Sequence, residues 1–138
     1  ARVSGPTSET QVGLFLGETT TNAGIGVGYN KSGYYNAFIW AGPQSQKTGV
    51  TPGGYQLFSF TREAGGDITL YVDAVAQTPN ASSTMNATSG FEVGRAIREP
   101  SNSFYFQGDV AEVVVYSRVL SSSELADVHS YLNEKWGL

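Results

Sequence analysis

Residues 108–138 read GDVAEVVVYSRVLSSSELADVHSYLNEKWGL, and two periods meet inside them. Val110–Tyr116 is an almost continuous apolar run with Glu112 as its one charge, the pattern of a strand covered on both faces. From Ser121 the spacing changes. Leu125, Val128, Leu132 and Trp136, flanked by Ala126 and Tyr131, fall on one stripe of a helix. Ser121 with Glu124 forms a capping box, Leu120 and Leu125 a hydrophobic staple, and Gly137 stands where a helix stops. The stretch predicts a strand followed by one amphipathic helix, which lies as a lid over apolar sheet surface or a sheet end.

Working outward, the rest of the chain carries the period of strands. Gln11–Gly17, Gly24–Tyr29, Tyr34–Ala41, Tyr55–Arg62 and Asp67–Ala74 are strand-like, as are the shorter Phe91–Arg95 and Phe104–Gln107. In the fifth, Ile68, Leu70 and Val72 alternate with Thr69, Tyr71 and Asp73, the pattern of a half-buried antiparallel strand. Glu63–Gly66 links it as a hairpin to the strand before, Thr51–Gly54 is a turn, and Thr78–Gly90 reads as a polar loop.

Composition agrees. The 138 residues suit a single domain with its own core, 14% are charged against about a quarter in ordinary domains, and 17 are glycine. The net charge of −4 and the lack of any basic run argue against nucleic acid. There is no cysteine, hence no disulfide or thiolate metal site, and no apolar run reaches about 18 residues, so no transmembrane helix is expected.

The closing residues Gly108, Glu112, Tyr116, Arg118, Leu120, Ser121, Glu124, Tyr131, Leu132, Lys135, Trp136 and Gly137 resemble the end of laminin-G-like, concanavalin A-like jelly-roll domains. Phe58–Asp73 and Phe91–Arg95 resemble that family's preceding hairpin and its Ile-Gly-Arg strand. The resemblance spans about residues 54–138 and implies an all-β antiparallel jelly-roll sandwich with one short C-terminal helix. Two departures matter. Ala74 replaces the usual glycine after Val-Asp, so a turn other than the tight positive-φ type is expected there. Such domains also place a further N-terminal portion before the equivalent of Gln11, and this chain is read as starting late. The single domain, 1–138, is therefore expected to lack N-terminal strands, or to take them from a partner chain or an N-terminal fragment that completes the sheet.

Candidate chemistry is sparse. His129 is the only histidine, no nucleophile elbow accompanies it, and a packing role on the helix is expected. No Glu-x-Asp-x-Glu set marks a glycosidase, so the chain is read as a non-enzyme, and Glu112 is expected to hold a structural partner such as Arg118 or a helix-end amide. Gly24–Tyr29 has glycine alternation without a following helix and is read as strand, not phosphate loop. The resemblance implies a calcium site as one option, for which Asp67, Asp73 and Asp109 are the carboxylates, helped by Asn102; solvated turn aspartates are the other reading. Asn30, Asn80 and Asn86 sit in glycosylation sequons.

The aromatic run Tyr34–Ala41 is the richest feature. Tyr34, Asn36, Phe38 and Trp40 share one face, and Tyr35, Ala37, Ile39 and Ala41 the other. One face must be core; the other is either core too or a platform on which sugar rings stack. Tyr34, Tyr35, Asn36 and Trp40, with Asn102, Tyr105 and Gln107 bordering, are the candidate ligand residues. The expected function is a non-catalytic carbohydrate-binding or adhesion module of a secreted, cell-surface or viral protein. The alternatives are a structural protein–protein module, such as a phage tail or capsid decoration domain, and then a glycan-active hydrolase or lyase.

Overall fold

The computed structural model of the chain describes residues 1–3, 10–17, 24–49, 53–63, 66–80, 90–98 and 102–138, with backbone alone at 97–98 and 102–103. In chain order its strands are β1 (Arg2–Val3), β2 (Gln11–Gly17), β3 (Gly24–Asn30), β4 (Tyr34–Ile39), β5 (Gln44–Lys47), β6 (Phe58–Arg62), β7 (Ile68–Val72), β8 (Val75–Ala76), β9 (Phe91–Val93), β10 (Arg95–Arg98), β11 (Asn102–Tyr105) and β12 (Gly108–Asp109). One helix, α1 (Ser122–Trp136), closes the chain. The turn Thr51–Gly54, the link Glu63–Gly66, the loop Thr78–Gly90 and the sequon at Asn86 fall wholly or partly outside the described residues.

The architecture is an antiparallel β-sandwich. A five-stranded sheet, in the order β5-β4-β3-β2-β9, forms one layer, and β6-β7-β8 faces it. Alternation decides what lies between them: Ile25, Val27 and Tyr29 of β3, Tyr35, Ala37 and Ile39 of β4, and Ile68, Leu70 and Val72 of β7 make one buried cluster. Ser45 stitches the layers, because its hydroxyl donates to the Thr78 carbonyl at 2.8 Å and accepts from the Leu70 amide at 3.1 Å. The outer face of the large sheet is covered as well. There Val12, Phe15 and Phe38 pack under the β10–β11 hairpin through Ala96 and Phe104. A bulge between Val12 and Leu14 permits this, since it re-phases β2 so that Val12 and Phe15, three apart, share a face. Gly28 is required where β3 passes β2, because a side chain there would strike the Gln11 backbone.

Three expectations need correction. Asp73 (φ 49°) and Ala74 (φ 65°) both adopt the left-handed conformation and form a tight two-residue turn, with Val72 paired to Val75. The strand twist selects this primed turn even though Ala replaces glycine. Val110–Tyr116 is not a strand covered on both faces: it has no ladder partner among the described residues, and Val114, Val115 and Tyr116 are exposed. Trp136, placed on the buried stripe by its spacing, is 43% exposed, while His129 is the helix residue that packs deepest. The helix ends themselves are as expected, with the Ser121–Glu124 capping box formed and Gly137 left-handed at φ 64°.

Candidate functional site

Two regions collect the side chains able to engage a ligand. The first is the outer face of the large sheet with its covering hairpin. Tyr35 does not belong to it. Its ring is 1% exposed and meets Phe58 edge-on at 4.5 Å between centroids, and burial raises its phenol pKa above the ordinary value. Asn36 lies on the opposite face but is also buried, donating to the Gln44 side chain at 2.9 Å. Burial removes both from any solvent-facing platform. Trp40 is half-buried, edge-on to Phe15 at 5.9 Å and tilted on Phe104 at 5.6 Å. Tyr34 begins β4 and Trp40 follows its last residue, roughly 20 Å away at strand rise, so the two cannot share one small ligand.

Phe104 carries this packing into the hairpin. The next residue, Tyr105, points the other way by alternation and is 60% exposed. Gln107, also exposed, is fixed through its main chain: its amide donates to the buried Gln11 side chain at 2.7 Å. The Asn102 side chain lies outside the described residues. Of the seven candidates, the hairpin thus brings Tyr105 and Gln107 close together, with Trp40 beneath through Phe104.

The candidate calcium carboxylates are separate. Asp73 accepts from the Leu57 amide at 3.0 Å and from the Gln56 side chain at 3.3 Å, and Asp109 pairs with Arg2. Asp67 is exposed at the start of β7. Among the described residues no three His, Cys, Asp or Glu side chains gather. Glu112 does have a structural partner, but at the helix end rather than Arg118: it accepts from the Trp136 indole at 2.8 Å and the Lys135 ammonium at 3.1 Å. Those two donors hold its pKa below the usual carboxylate range. Arg118 pairs with Glu124 instead, and this pair with the Ser121 cap lowers the Glu124 pKa to about 2.

The second region is an apolar groove of about 390 Å³ between the two layers, α1 and the segment after β12. In it lies a pair that residue spacing does not reveal. Ser59 Oγ and His129 Nε2 are 2.8 Å apart across 70 residues of sequence, and the imidazole also rests on Tyr71 at 5.7 Å. Burial lowers the His129 pKa and so favours the neutral ring. A nucleophile and a base are present in this pair, but a base also needs an orienting group. Among the described residues no side chain hydrogen-bonds the other ring nitrogen. The pair joins α1 to β6 of the second layer.

Comparison with known proteins fits this architecture. Neither the curated proteins nor the solved structures contain a match. A laminin-G family model, described as the concanavalin A-like lectin/glucanases superfamily, matches residues 2–126. With that match over most of its length, and with its two antiparallel layers and closing helix, the chain belongs to the laminin-G-like branch of the concanavalin A-like lectin/glucanase superfamily.

Proposed function

We propose that this domain is a non-catalytic carbohydrate-binding or adhesion module, working on a cell, secreted or virion surface. The observation that carries the reading is Tyr105. It is the most exposed aromatic side chain among the described residues, on a hairpin held from beneath by the Phe104–Trp40 contact. A rigid, exposed ring costs little entropy to present and matches the C–H-lined face of a sugar. Gln107 adds an adjacent amide able to donate to and accept from hydroxyls. Family membership supports the class of ligand, by analogy of fold.

A glycan array tests it. Binding to a defined set of glycans, weakened about 5–30-fold by Tyr105→Ala with unchanged circular dichroism, is the expected outcome, since a stacked ring contributes roughly 1–2 kcal/mol. No binding at millimolar glycan, or full binding by Tyr105→Ala, removes the reading. A second reading, a protein–protein module, is favoured by Phe91 (52% exposed) and Val93 (45% exposed), which stand together on the edge strand β9. It predicts that Phe91→Ser abolishes partner binding while Tyr105→Ala does not.

A further inference from the structure

The groove lies in line with β1. β1 is the middle of a short three-strand ladder: Arg2 pairs antiparallel with Tyr55 on one side and with Asp109 on the other. The first of these ladders runs on to the amino end, where the Ala1 and Gln56 main chains exchange hydrogen bonds of 2.8 Å in both directions. In antiparallel pairing each step back along the middle strand moves both partners one step forward. Positions two to six places ahead of Ala1 would therefore face Phe58–Arg62 on one side and 112–116 on the other. Among the described residues no strand is laddered to the outer edge of β6 or to 112–116.

The other two sides of the space are apolar. Leu14, Leu16 and Val27 of the large sheet line its inner side, and Leu125, Val128 and Leu132 of α1 line its outer side. A strand lying there would be covered on both faces, which calls for apolar side chains in both directions. We propose that the groove is a strand seat. It accepts one extended stretch of polypeptide about five residues long, apolar on both faces and joined in line with β1, which makes the second layer continuous from β8 to 110–116. This inference concerns the groove alone and does not depend on the glycan reading.

The experiment extends the 138-residue chain at its amino end with Thr-Val-Ile-Val-Ile-Val and compares it with the unextended chain and with a version carrying proline at the third position of the extension. Amide hydrogen exchange is read at 58–62 and 112–116, together with fluorescence of an apolar dye that takes up exposed apolar surface. Expected are amides at both walls slowed about a hundredfold or more by the extension, dye binding lost, and neither effect with proline, which cannot donate to the ladder. Three results overturn the proposal: both walls already protected in the unextended chain; protection equal in the proline version; or equal protection from the same six residues added as a free peptide, which would remove the in-line attachment.

Discussion

Ala74→Gly should stabilise this protein. Ala74 sits at φ 65° in the β7–β8 turn, directly after Asp73 at φ 49°. A left-handed conformation costs a residue with a Cβ roughly 1–2 kcal/mol. Asp tolerates it better than Ala, because its side chain can hydrogen-bond locally. Replacing Ala74 with glycine removes the strain but loses roughly 0.4–1 kcal/mol to the greater freedom of the unfolded chain. No burial is lost, since Ala74 is exposed. The net gain is about 1 kcal/mol, or about 2–5 °C in melting temperature for a domain of this size. Thermal unfolding followed by circular dichroism measures it, with urea unfolding as a second readout. Ala74→Val, which adds a branch at a position that disfavours one, should move the midpoint the other way. A melting temperature that is unchanged or lower in Ala74→Gly would refute the reasoning, because it would mean that the turn lacks the positive-φ geometry.

The core and the lid should respond differently to truncation: Leu70→Ala, fully buried between the layers, should cost about 2–5 kcal/mol, and Trp136→Ala, 43% exposed, about 1 kcal/mol. Equal losses in a urea titration would show that the helix is docked as deeply as the core. His129 gives the domain an acid-sensitive component. Its folded pKa is depressed by burial, so below about pH 6.5 the unfolded chain binds a proton that the folded chain resists, and stability falls as the pH drops through that window. Urea midpoints at pH 7.5 and 5.5 should differ less in His129→Gln than in the parent chain; equal differences would detach the effect from His129.

Local features were legible without coordinates. The Ser121–Glu124 box, the glycine stop and the limits of β2 follow from short-range rules: each depends on atoms within a few residues of one another. The alternation of Ile68, Leu70 and Val72 likewise named the buried face of β7. Long-range decisions were not legible. Tyr34–Ala41 has two faces that could each be core, and only the packing of the second layer against one and of the β10–β11 hairpin against the other makes Tyr35 and Phe38 interior. The Ser59–His129 pair joins residues 70 apart through the docking of α1, and no spacing rule reaches that far. Val110–Tyr116 has the composition of a covered strand, but composition states only what a segment can bury. Whether it is paired depends on a neighbour at each edge, and among the described residues it has none.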